Sequence, residues 1–114
     1  MDDLNKLERV VLQQLSEKYP AIKSHIPHLK VKDRQNTGVG MFVNFFFATP
    51  DGILSGLDME DCAISTNDNI RIEGLEHGLG YEVDITKGRI NFIEFITYGE
   101  GWDGSSKNFS FERS

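Results

Sequence analysis

With a single cysteine, Cys62, the chain can form no intramolecular disulfide, so its stability must come from a packed core. Basic residues are also in short supply. Twelve Lys and Arg stand against 18 Asp and Glu, and the resulting net charge of −6 opposes binding to phosphate backbones and favours cationic partners. Nucleic acid is therefore not an expected partner. No apolar run approaches the roughly 20 residues that cross a bilayer, and the longest, residues 41–48, contains Asn44. No membrane association is expected. The N-terminus is acidic and amphipathic where a leader would be basic and then apolar, so the chain reads as cytoplasmic.

Several chemistries are excluded by spacing. Gly38-Val39-Gly40 and Gly78-Leu79-Gly80 each lack the third glycine of a dinucleotide loop, and no Gly-Lys-Ser/Thr segment is present to cradle phosphates. No serine lies in a Gly-x-Ser-x-Gly elbow, and Asp61 beside Cys62 would raise the thiol pKa, the opposite of what a nucleophile needs. His25 and His28 are split by Pro27, which breaks the helix that would align them, and His77 lies far along the chain. The acidic run Asp58, Glu60, Asp61 and the polar run Asn67, Asp68, Asn69 lack the glycine and glutamate positions of a calcium loop. No metal, no cofactor and no catalytic residue is expected.

What is present suggests one α+β domain over residues 1–114, a length that buries about 65% of the unfolded chain's surface. Leu4, Leu7, Val11 and Leu15 recur at helical steps, and Asp2 and Asp3 suit the positive end of a helix over residues 3–18. Tyr19-Pro20 ends it or opens a second short helix. Extended segments follow: 29–34, leading into a turn at 35–38; 41–48, apolar on both faces as in a central strand covered on two sides; and 70–72. In 81–86, Tyr81, Val83 and Ile85 point one way and Glu82, Asp84 and Thr86 the other. Lys87-Gly88 is the tight turn into 89–98, and 108–112 makes a short last strand. Thr49-Pro50-Asp51-Gly52 signals a turn, and 53–61 an irregular acidic stretch. The expected architecture is an N-terminal helix or helix pair on a mainly antiparallel sheet of about five strands.

Two features stand out as candidate sites. Ideal alternation places Glu94 with Ile90, Phe92, Ile96 and Tyr98 on one strand face, where a carboxylate needs a partner. Arg34 is the expected one. The pair either fixes the fold or, with Asn44 and Tyr98, lines a pocket for a small ligand or a reaction. Trp102 lies among Gly99, Glu100, Gly101, Asp103 and Gly104. There it either presents a ring between two carboxylates as an interface anchor or folds back over the sheet edge. The expected partner-binding set is Trp102, Glu100 and Asp103, with the outward Glu82 and Asp84.

Arg34-x-x-Thr37-Gly38-x-Gly40-x-Phe42 and Gly88-x-Ile90-x-x-x-Glu94-x-x-x-Tyr98-Gly99-x-x-Trp102 resemble segments of a family of small bacterial proteins of unknown function. Ile93 stands where that family usually has leucine, and Asp103 where it often has proline. The resemblance spans about residues 31–103 and implies no catalysis. Some members look like immunity-type companions of bacterial toxins, which implies a non-enzymatic protein-binding domain that neutralises a basic toxin domain by covering its cationic working surface, reached quickly by electrostatic steering. A homodimer through the sheet edge or the Trp102 loop is a further expectation.

Overall fold

The computed structural model describes residues 3–48 and 56–113, so the turn at 49–52 and the start of the 53–61 stretch lie outside the described residues. Helix α1 spans Lys6–Lys18 and begins where two side chains satisfy its end. The Asn5 side chain accepts the Glu8 N–H at 2.9 Å, and Glu8 Oε1 accepts the Asn5 N–H at 2.8 Å. This reciprocal capping box uses up donors that the first turn would otherwise leave open. Leu7, Val11, Leu12 and Leu15 form the buried stripe, each contributing roughly 1.5–3 kcal/mol. Two 3-10 turns follow, Pro20–Ser24 and Ile26–His28, each with proline in its first turn, where its missing N–H does no harm.

Among the described residues seven strands make one sheet: β1 Leu29–Asn36, β2 Gly40–Phe47, β3 Cys62–Ile64, β4 Asn69–Ile72, β5 Leu79–Thr86, β6 Arg89–Thr97 and β7 Phe109–Glu112. The order is β1-β2-β6-β5-β4-β7, with β3 paired to β5, and every pairing is antiparallel. The sheet exceeds the expected five strands because very short segments, three residues in β3 and four in β7, also enter ladders. The α1 side of the sheet is the core: Val31, Val43, Phe45, Tyr81, Val83, Ile85, Ile93 and Phe95 are all buried there. β2 is central, as its composition suggests, but only one of its faces carries buried side chains, Met41, Val43 and Phe45. Phe42, Asn44 and Phe46 on the other face are half-buried, and no helix among the described residues lies over them.

The β5–β6 hairpin turns at Lys87 (φ 53°) and Gly88 (φ 71°), the left-handed pair that a two-residue turn matching strand twist requires. Asp61 Oδ1 accepts the Lys87 N–H at 2.9 Å, and Gly88 O accepts the Leu57 N–H at 2.7 Å. A Cβ at Gly88 would lie 3.0 Å from Leu57 O, so the close approach of that backbone also requires glycine.

Two β-bulges decide which residues face α1. In β1 the pairing passes from Val31↔Phe45 to Asp33↔Asn44, leaving Lys32 unmatched and turning Arg34, opposite Val43, toward the helix. There its guanidinium grips Glu8 with two bonds, Nε to Oε2 at 2.8 Å and Nη2 to Oε1 at 2.9 Å, and the Glu8 side chain is 0% exposed. In β6 the pairing passes from Ile85↔Ile90 to Asp84↔Phe92, leaving Asn91 unmatched. Arg34→Ala would strand the Glu8 carboxylate in the core. Chemical denaturation should show a loss of about 3 kcal/mol, the low end for a broken buried pair because the Arg34 side chain keeps 29% exposure. A loss below about 1 kcal/mol would mean that the Asn5 N–H alone satisfies Glu8.

Candidate functional site

The face of the sheet away from α1 reads in rows across four strands. One row is Glu82–Glu94–Phe42–Gln35 and the next is Asp84–Phe92–Asn44–Asp33. Gly80, Ile96 and Gly40 form the row beyond Glu82. The first two rows hold four carboxylates and no cation. Phe42 and Phe92 meet edge to face across the β2–β6 boundary, with centroids 5.5 Å apart at 72°. Two carboxylates are internally satisfied. Asp33 accepts from Asn44 Nδ2 at 2.7 Å, and Asp84 Oδ2 accepts from Thr86 Oγ1 and from Asn91 Nδ2. Glu82 and Glu94 are directly opposite each other, and neither makes a hydrogen bond or ion pair with any described residue.

The expected Arg34–Glu94 pair does not form. Ideal alternation ignores the bulge at Asn91, which puts Ile90 on the core side while Phe92, Glu94 and Ile96 stay on the open face. The bulge at Lys32 sends Arg34 to the opposite side of the sheet, to Glu8. Asn44, Glu94 and Tyr98 therefore have no Arg34 among them, and the four do not converge.

The Trp102 loop also differs from an exposed anchor. Trp102 is 6% exposed, with its ring edge-on to Phe95 at 6.0 Å and 74°. Its indole N–H donates to Ser105 O at 3.1 Å, its backbone N–H donates to Gly38 O at 2.9 Å, and its carbonyl accepts from Asn36 Nδ2 at 3.0 Å. The backbone bonds fasten the loop to the β1–β2 turn, and the ring packs inward on Phe95 because burying so large a surface outweighs presenting it to water. Glu100 is occupied as well, accepting the backbone N–H groups of Glu76 at 2.8 Å and His77 at 2.9 Å. Asp103 Oδ1 closes a local turn by accepting the Ser105 N–H at 2.8 Å. Of the expected partner-binding residues, Glu82 and Asp84 lie on the open face. Trp102, Glu100 and Asp103 do not lie in its rows.

Tyr98, 61% exposed, and Ile96, 40% exposed, stand at the end of this face beside a cleft of about 240 Å³. Gly80, Glu82, Ser65 and Asn67 are among the residues that line it. Sequence reasoning does not place Phe42, Phe92, Ile96, Gly80 or Asp33 in a site. The mixed pattern Phe42-x-Asn44-x-Phe46 is the available signal, since one face of β2 is polar enough to meet water. Among the described residues no group of three or more His, Cys, Asp or Glu side chains is placed to hold a metal ion, and no helix is long and apolar enough to cross a membrane. The fold and face define an α+β domain whose sheet is helix-covered on one side and open, acidic and aromatic on the other. No family model, curated protein or solved structure matches the chain.

The two loop residues generate stability predictions. Trp102→Ala should lower the unfolding free energy by about 3 kcal/mol in chemical denaturation, as for other buried aromatic truncations. The backbone N–H groups of His77 and then Glu76 hold the Glu100 carboxyl below its ordinary value of 4.5. Its contribution to stability is therefore present above pH 4.5 and lost as pH falls through the lower folded-state value. The melting-temperature gap between wild type and Glu100→Gln should be open at neutral pH and close in that acid range. A gap independent of pH would show that charge plays no part in this cap.

Proposed function

We propose that this chain is a non-enzymatic protein-binding domain of the immunity type, which neutralises a basic bacterial toxin domain by laying its open sheet face over the toxin's cationic surface. The observation that carries this reading is the unpartnered Glu82–Glu94 pair, directly opposed across β5 and β6. Like charges facing each other across a ladder destabilise a sheet, and a lysine at either position would remove the repulsion. Retaining both carboxylates is reasonable where a cation from elsewhere completes them. Phe42 and Phe92 beside them supply apolar surface, so the face offers burial and charge together.

The resemblance of the Arg34–Phe42 and Gly88–Trp102 segments to a bacterial family with immunity-type members points the same way, and on this reading the protein acts in the cytoplasm. The face is poorly suited to a second copy of itself, because acidic rows would meet acidic rows. A small-ligand or enzymatic pocket around Arg34 and Glu94 has no comparable support, since the two residues lie on opposite sides of the sheet.

Co-expression tests the reading. A toxic product of the neighbouring gene should be neutralised by wild type and not by Glu82→Lys. The same substitution should raise unfolding free energy by a few tenths of a kcal/mol, because the introduced ammonium faces Glu94 across the ladder. Full neutralisation by Glu82→Lys, or a neighbouring product that is neither toxic nor bound, overturns the proposal.

A further inference from the structure

The cleft at the Tyr98 corner of the open face has a more specific chemistry than the face as a whole. Its floor is the backbone at Gly80, over which the Tyr98 hydroxyl reaches. A Cβ built there would lie 3.6 Å from Tyr98 Oη and 3.7 Å from Ile96 O, ordinary contact distances, so neither strain nor crowding demands glycine at this position. One wall is the Tyr98 side chain, more than half exposed and without a hydrogen bond or ion pair to any described residue. Ser65 and Asn67 also line the cleft, as does Tyr81. The Tyr81 hydroxyl holds the segment between them, accepting the Thr66 N–H at 3.2 Å and lying 2.7 Å from Thr66 Oγ1. Asp68 also lines the cleft, its Oδ2 already accepting from Thr66 Oγ1 at 3.0 Å. Glu82 lines the cleft too, with Glu94 directly opposite it on β6.

An exposed aromatic ring beside a side-chain-free floor and an unpartnered carboxylate reinforced by a second negative charge match the shape and charge of one side chain. A guanidinium can lie flat against a tyrosine while its N–H fork reaches a carboxylate. A lysine ammonium would find the charge but not the planar complement. Building on the docking face proposed above, we infer that this cleft is an arginine notch, which receives a single arginine side chain projecting from the partner's basic surface. The notch sets the register of the partner on the rows of Glu82 and Asp84, and Phe42 and Phe92 are covered as a consequence.

The test uses capped arginine, N-acetyl-L-arginine methylamide, titrated into the isotope-labelled protein with amide chemical shifts recorded. Capped citrulline is the uncharged isostere. Saturable shifts are expected at Gly80, Glu82, Ile96, Tyr98 and Asn67 with arginine and not with citrulline. Glu82→Gln and Tyr98→Ala should each weaken binding about three- to fivefold, as for a half-exposed ion pair or cation–π contact. Gly80→Val, which fills the floor, should abolish it. The spectrum of each variant reports directly that the fold is kept. Equal shifts with citrulline, shifts scattered over the acidic surface, or unchanged binding in Gly80→Val overturn the notch. If arginine does not bind and Glu82→Lys still abolishes neutralisation, the notch falls and the docking face stands. If arginine binds while Glu82→Lys neutralises fully, the docking reading falls, and with it the assignment of the notch to a partner's side chain.

Discussion

A buried carboxylate is tolerated only where enough donors converge on it, and at Glu8 three do. One is the Asn5 N–H at the head of α1, and two belong to the Arg34 guanidinium on β1. The same group therefore starts the helix and clamps it to the edge of the sheet. Arg34 reaches it only because the chain takes one extra residue at Lys32, which inverts the facing of everything after it in β1. Helix capping, strand register and layer packing are thus coupled through one side chain that is fully withdrawn from water. The fork geometry matters here, because a lysine could not satisfy both carboxylate oxygens in parallel.

With α1 committed to one side, the sheet becomes chemically two-sided. The helix side is almost wholly aliphatic and aromatic, whereas the far side mixes rings with carboxylates that have no cation of their own in the same rows. Such a face is neither a second core nor an ordinary solvated surface. Asp33 and Asp84 are neutralised in part by amide and hydroxyl donors, but Glu82 and Glu94 are left to repel each other. In the docking proposed above, this local cost is what a partner's cation would relieve.

Much of this architecture was legible in the residues. The helical spacing of Leu4, Leu7, Val11 and Leu15, the left-handed demand of Lys87-Gly88, and the outward Glu82 and Asp84 all follow from local periodicity. The failures have one cause each. A bulge is a single unmatched residue with no compositional mark of its own, and period-two reasoning carried across Asn91 or Lys32 places the wrong residues together. Hence alternation gives Glu94 the wrong partner in Arg34 and the wrong neighbour in Ile90. Trp102 is a different case, left open in the sequence between display and folding back, and it folds back. Its glycine-rich surroundings suggest display, but its partners, Phe95, Gly38 and Asn36, include two residues distant in sequence, and only the closed sheet creates the recess it fills. Which face of β2 stays open is likewise decided by where one helix lands.

The burial of the only tryptophan has an optical consequence. Its indole sits at the seam between the β1–β2 turn and the C-terminal loop, sheltered from water and away from the rows of Glu82 and Glu94. Emission from this chain therefore reports the closure of that seam as the protein folds, while contacts made on the open face leave it unchanged.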